Sequence, residues 1–156
     1  MEKIDIRLVT NILEALESAR EAFSLLPPLP ADMKPVYFRV LNAIYIIGND
    51  TGGLRVSDIS KVSGLLLPNA TKVINEMVDL NILGKYTPVS DKRVVMVQTT
   101  ELGEQYIDKY VFPYFEGLNK ELSKINEVDC MIMIETINKV YQAIKTVTKG
   151  KETELS

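Results

Sequence analysis

The stretch that decides the fold begins Arg55-Val56-Ser57-Asp58-Ile59-Ser60-Lys61-Val62-Ser63-Gly64 and continues Leu65-Leu66-Leu67-Pro68-Asn69-Ala70-Thr71-Lys72-Val73-Ile74-Asn75-Glu76-Met77-Val78. After Lys85-Tyr86 come Ser90-Asp91-Lys92-Arg93, the run Val94-Val95-Met96-Val97, and Thr100-Glu101-Leu102-Gly103. Val56 to Val62 predicts a short helix, with Gly64 as its C-terminal stop. A second helix starts near Pro68, a residue suited to a first helical turn. Its core face is Ala70, Val73, Ile74 and Met77. Asn81 stands where helices end in a left-handed residue. Lys85 to Val89 and Arg93 to Thr99 predict two strands, turning at Ser90-Asp91-Lys92. Thr100 can cap a further helix, with Glu101 and Glu104 near its positive end. Two short helices, a charged ribbon and a new helix give a winged helix-turn-helix, the layout that places one helix in a DNA groove.

Outward from this module, Leu8, Ile12, Ala15, Leu16, Ala19 and Phe23 recur at helical spacing after Ile4. That first helix stops before Pro27-Pro28-Leu29-Pro30. A second carries Val36, Val40, Ala43, Ile44 and Ile47, and ends at the turn residues Gly48-Asn49-Asp50-Thr51-Gly52-Gly53. Pro113 falls inside a helical pattern and should kink or break it. The last helix opens at Asn126 as cap and carries Val128, Met131, Ile132, Val140, Tyr141, Ile144 and Val147. The polar tail from Gly150 is expected to be loose.

The spacing of Asp91-x-Arg93, followed seven residues later by Thr100-x-x-Gly103, resembles the MarR family of bacterial transcription regulators. The resemblance covers essentially the whole chain. It implies a mainly α fold with a small β wing, in which a winged helix-turn-helix is flanked by long N- and C-terminal dimerisation helices. The single domain then spans 1–156, with the winged lobe at 33–100 and dimerisation helices at 1–26 and 101–148. This sequence differs from the family pattern at four places. Leu66-Leu67 replaces a Ser/Thr cap, Asn81 a glycine, Lys85 an arginine and Arg55 a threonine. In the family, the arginine of Asp-x-Arg enters the minor groove and the aspartate orients it, which carries over to Arg93 and Asp91. The family also implies a crevice for small aromatic effectors.

The residue types suit that use. On the helix from Pro68, Asn69, Thr71, Lys72 and Asn75 lie on or near the non-core side. Asn pairs with adenine, the Thr methyl touches thymine, and Lys reaches guanine or phosphate. Lys92 and Arg93 at the hairpin end can reach the minor groove, whose negative potential attracts arginine. The plainer alternatives are solvated polar residues on a surface helix and a local ion pair at an exposed hairpin. Among the aromatic residues, Phe23, Tyr37, Tyr45 and Tyr110 are the candidates for an effector pocket; core or interface packing is the alternative for each.

Charge is distributed to match. Residues 55–93 carry six cations against four acids, +2, so the remainder sums to −5 against the total of −3. That places a modest positive face on an acidic body. The chain has no histidine and one cysteine, Cys130. Most zinc sites, nucleophile–base pairs and an internal disulfide are thereby excluded. No cofactor, metal or catalytic residue is expected, and the reading is not that of an enzyme. Met1-Glu2-Lys3-Ile4-Asp5 lacks the apolar core of a secretory signal, and no apolar run approaches the ~20 residues that span a bilayer. A cytoplasmic protein without membrane contact follows as the expectation. Its expected function is that of a homodimeric repressor on a palindromic operator in double-stranded DNA, released by a small effector. The alternative is a winged-helix interaction or scaffold protein that does not read DNA.

Overall fold

A computed structural model of the chain describes residues 5–48 and 53–149. The expected turn at 49–52, the part of the first stripe at Ile4 and the tail from Gly150 lie outside these residues. The order is α1 (Ile6–Ser24), α2 (Pro35–Ile47), β1 (Leu54–Arg55), α3 (Val56–Ser63), α4 (Leu67–Asp79), β2 (Leu83–Tyr86), β3 (Met96–Thr99) and α5 (Glu101–Tyr106). A π-helical turn, Ile107–Val111, leads into α6 (Phe112–Leu122), and α7 (Glu127–Lys149) follows. The architecture is mainly α with a small wing, as the sequence predicts. The chain divides into two compact units at Phe112/Pro113.

The first unit is built around α2. Tyr37, Phe38, Val40, Leu41, Ala43 and Ile44 are all buried, so this helix is apolar on most of its circumference. It packs against α3, α4 and the π turn. Met33, Leu54, Ile59 from α3, Ala70, Val73, Ile74 and Met77 from α4, Ile82, Leu83 from β2, Val97 from β3, and Ile107 and Val111 join it in the core. The four α4 residues are those that its spacing marks as the inner face.

Local chemistry sets the helix ends. Asp5 caps α1 by accepting from the Leu8 N–H at 3.2 Å. Gly64 ends α3 at φ 69°, and Asn81 follows α4 at φ 59°. Both adopt the left-handed conformation that their residue types favour. Between α3 and α4, the Ser60 hydroxyl donates to the Leu65 carbonyl at 2.7 Å, and Arg39 Nη2 donates to the Ser63 carbonyl at 2.7 Å. The helix-turn-helix is therefore tied to α2 through its turn.

The sheet has order β1-β3-β2 and is antiparallel throughout. Leu54 pairs with Val97 in β1–β3, and Leu83 pairs with Thr99 in β2–β3. This differs from the sequence expectation in two ways. First, β1 makes a third strand from two residues, too few for any alternation to be read. Second, the wing strands are shorter and β2 starts earlier than expected. Residues 87–95 form an extended tip instead of strand. Pro88 has no N–H to give a ladder, and turns at 88–91 and 91–94 close through the Asp91 and Val94 amides at 3.3 Å each.

Thr100 holds the base of the wing. Its hydroxyl lies 2.6 Å from the Asn81 carbonyl and 2.9 Å from that of Ile82, and its oxygen accepts the Gly103 N–H at 3.1 Å. Gly103 is buried against the Ile82 backbone: a Cβ placed there would sit 2.2 Å from the Ile82 carbonyl oxygen. The Thr-x-x-Gly motif is thus a clasp between α5 and the wing.

Pro113 neither breaks nor stops its helix. Upstream, the Phe112 N–H reaches back five residues to the Ile107 carbonyl. The widened turn comes just before the residue that lacks an amide proton and crowds the preceding turn. In the second unit, Asn126 Oδ1 accepts from the Val128 N–H at 2.8 Å and starts α7 as expected. No residue of α1 or of α7 is buried. Ile6, Leu8, Val9, Leu13 and Phe23 are exposed on α1. Val128, Met131, Ile132, Ile134, Tyr141 and Val147 are exposed on α7. No described helix is long and apolar enough to cross a membrane.

Candidate nucleic-acid interface

The site has two parts, the outer face of α4 and the tip of the wing. With Ala70, Val73, Ile74 and Met77 turned inward, the helical period places Pro68, Lys72, Asn75 and Asp79 along the outermost stripe. Asn69 and Thr71 flank it on opposite sides. Of the residues singled out from sequence, Asn69, Lys72 and Asn75 are exposed and Thr71 is half-buried. The Thr71 hydroxyl donates back to the Leu67 carbonyl at 2.9 Å, so that its donor is engaged within the helix.

Asn75 is held before any ligand arrives. The Lys85 ammonium on β2 donates to Asn75 Oδ1. This bond links α4 to the wing and directs one polar edge of the amide. Lys85 itself becomes part of the surface, a residue that sequence reasoning placed on a strand, in the position of a family arginine, and left out of the site.

Glu76 is the second residue that sequence reasoning missed. Tyr37 is 3% exposed, and its hydroxyl donates to Glu76 Oε2 at 3.1 Å. Lys34 Nζ lies 3.4 Å from the same oxygen and 5.2 Å from the Tyr37 ring centroid. The Tyr37 hydrogen bond, then the Lys34 charge, holds the Glu76 carboxyl below its ordinary value of 4.5. Lys34 is raised in turn, first by Tyr37 and then by Glu76. The carboxylate on α4 is therefore matched by a cation from the start of α2, and its repulsion of an anionic ligand is reduced. Nothing local signals the pairing, because Tyr37 and Glu76 lie 39 residues apart.

A depressed folded value means that Glu76 adds stability above the ordinary carboxyl value and loses it as pH falls through the lowered one. Removing the Tyr37 donor should shrink that contribution. Tyr37→Phe is therefore expected to unfold more easily near neutral pH and to lose less further stability on acidification below 4.5. Urea midpoints on both sides of that pH measure it. Parallel acid profiles for the two proteins would remove Tyr37 as the cause.

At the tip, Asp91 Oδ1 accepts the Arg93 N–H at 3.0 Å and lies 3.7 Å from Arg93 Nε. One carboxylate oxygen thus shapes the turn and faces the guanidinium. The Arg93 side chain is 96% exposed. Lys92 is exposed beside it. Both cations project from a backbone fixed by its own turns.

The four aromatic candidates are spread over three elements. Phe23 lies on α1, where its ring edge would be 3.9 Å from a Cβ on Gly64. Tyr37 is a core residue with its hydroxyl on Glu76. Tyr45 is exposed on the C-terminal half of α2. Tyr110 packs edge-on to Tyr106 in the π turn, centroids 5.8 Å apart. Among the described residues no group of His, Cys, Asp and Glu could hold a metal ion.

No protein-family model and no curated protein matches the sequence. Solved structures do match the fold. One is a MarR family protein from Bacillus stearothermophilus, 17% identical, covering 92% of this chain and 99% of its own, with a TM-score of 0.58. The chain shares the MarR fold. BpsR from Bordetella bronchiseptica, whose DNA binding is regulated by 6-hydroxynicotinic acid, is 18% identical over 86% of this chain and 98% of its own, with a TM-score of 0.59. MepR from S. aureus, solved as a DNA complex, is 16% identical over 92% of this chain and 99% of its own, with a TM-score of 0.57. At 86–92% of the chain, these matches include residues of both compact units.

Proposed function

We propose that this chain is a DNA-binding transcriptional regulator of the MarR type, acting as a homodimeric repressor on a palindromic operator and released by a small-molecule effector. The observation that carries the proposal is the pairing of α4 with the wing tip. A helix anchored by four buried residues turns Lys72 and Asn75 outward, and Arg93 and Lys92 stand on the adjoining hairpin. Polar edges for bases and cations for phosphate are the two components of duplex recognition. Asn69, Thr71, Lys72 and Asn75 take the base-contact role, and Lys92 and Arg93 the backbone or minor-groove role, with Asp91 orienting Arg93. The exposed apolar faces of α1 and α7 support dimerisation, because large apolar surfaces mark association sites. The DNA-bound state of MepR and the ligand-regulated DNA binding of BpsR support operator and effector, for which Phe23, Tyr37, Tyr45 and Tyr110 remain the aromatic candidates.

The test is binding to duplex DNA across a salt series, combined with footprinting. A dimer should protect two half-sites about one helical turn apart, ~10 bp. Arg93→Ala should bind all duplexes more weakly, with the log–log salt slope reduced by ~0.9 for each lost phosphate contact, roughly 2 for the two wings of a dimer. Its melting temperature should stay unchanged, since so exposed a side chain supports little else. A stable variant with an unaltered slope would exclude the wing from the interface. A wild-type protein that binds no duplex in a salt-dependent way would favour the scaffold reading.

A further inference from the structure

We infer that Leu66, Leu67 and Pro68 form an apolar edge at the leading end of α4 that reads thymine methyl groups in the major groove. The inference rests on the DNA-binding proposal above and specifies the sequence that such binding prefers.

The edge is exposed and fixed. Leu66 is 74% and Leu67 51% exposed, and Pro68 is exposed beside them. The exposure does not come from a loose turn. Ser60 bonds to the Leu65 carbonyl at 2.7 Å and Arg39 to the Ser63 carbonyl at 2.7 Å, immediately upstream. Leu66 also occupies the N-cap position of α4 and makes no side-chain cap. Serine or threonine there would satisfy an amide at the helix start. An apolar side chain at this position leaves that bond unmade and remains in water.

Its placement says what it faces. Pro68 lies one turn before Lys72 and two turns before Asn75, on the same outermost stripe. A ligand that meets Lys72 and Asn75 therefore meets Pro68 first, with Leu66 and Leu67 at its side. On the floor of the major groove, thymine alone presents a methyl group; the other edges are hydrogen-bonding groups. A leucine against cytosine or guanine would strip water from those groups and return no partner. Against thymine it covers apolar surface with apolar surface. The edge thus discriminates by attraction to one base and by desolvation of the others. The half-site should carry thymines under the start of α4.

The experiment selects sites from a random duplex library with the wild-type protein and remakes the strongest with deoxyuridine in place of thymine. Deoxyuridine pairs as thymine does and lacks the methyl. Each methyl under the edge should contribute about fourfold to affinity, the scale of one buried methyl-sized group. Wild-type protein should lose that factor on the uridine duplex. The double variant Leu66→Ser/Leu67→Ser should bind the two duplexes equally, and Leu66→Ser alone should weaken the methyl preference while melting no lower than wild type, since serine suits the cap position. Salt-dependent wild-type binding that is equal for thymine and uridine duplexes overturns the inference and leaves the DNA-binding proposal standing. Selected sites without thymine, or a serine variant that keeps the methyl preference, also overturn it. Absence of salt-dependent binding to any duplex removes the DNA-binding proposal itself, and the inference with it.

Discussion

Gly103→Ala is expected to be among the most destabilising single substitutions in this chain, although alanine is normally the better helix former by ~1 kcal/mol. The added Cβ would sit 2.2 Å from the Ile82 carbonyl oxygen and 3.3 Å from Thr99 Cβ. The nearer atom is backbone, so no side-chain rotation relieves it. Either α5 withdraws from the wing or the segment after α4 shifts. Each movement also strains the Thr100 clasp on Asn81 and Ile82. Overpacking of this kind costs ~1–3 kcal/mol, and here the lost clasp adds to it. For a domain of this size each kcal/mol lowers the melting temperature by roughly 2–4 °C. A fall of about 6–12 °C should follow by calorimetry, the product of those slopes and ~3 kcal/mol. A variant that melts with wild type would show that α5 packs less closely than described.

The second large effect concerns association. In the second unit, Val128, Met131, Ile132, Ile134, Glu135 and Asn138 line an open groove of about 580 Å³ on α7. Ile132 and Ile144 are both exposed in the single chain. Wild-type protein at micromolar concentration should scatter light as twice 17.5 kDa. Ile132→Asp/Ile144→Asp should then scatter as one copy. An unpaired carboxylate buried in an apolar interface costs several kcal/mol, and every ~1.4 kcal/mol is tenfold in dissociation constant. Both copies carry the change, so a weakening of about a thousandfold or more is expected. The first unit should keep its fold, because its buried residues all lie between Met33 and Val111. A double variant that stays dimeric would place the interface elsewhere, and a monomeric wild type would remove it.

What could be read from the sequence follows the range of the interactions. Gly64, Asn81 and Asn126 act within a few residues, as does Thr100 in capping α5, and each does in the structure what its type and position predict; the reach of the Thr100 hydroxyl to Asn81 and Ile82, 19 and 18 residues back, had no such local signal. The inner face of α4 was legible for the same reason: four apolar residues at one period. The two wing strands were legible, but with their tip ends too long and the start of β2 two residues late. Val94 and Val95 favour strands, but Pro88 and the Asp91 turn take the tip out of the ladder. The contacts that prepare the candidate interface were not legible. Tyr37 and Lys34 reach Glu76 across 39 and 42 residues, and Lys85 reaches Asn75 across ten. Tyr37 therefore looked like a pocket residue, because nothing near it in sequence says where its hydroxyl goes. Asn69, Lys72 and Asn75 were legible as outward residues, since the inward face fixed theirs.

The clasp of Thr100 and Gly103 has an evolutionary consequence. Its bonds run to backbone atoms of Asn81 and Ile82, and its one steric requirement is the missing Cβ at Gly103. Backbone partners are indifferent to the side chains that evolution substitutes around them. Selection on Leu66, Lys72, Asn75 or Arg93 can proceed without disturbing it, because those side chains project away from the core. Descendants of this chain can thus change the outer face of α4 and the wing tip while the lock at the base of the wing stays in place.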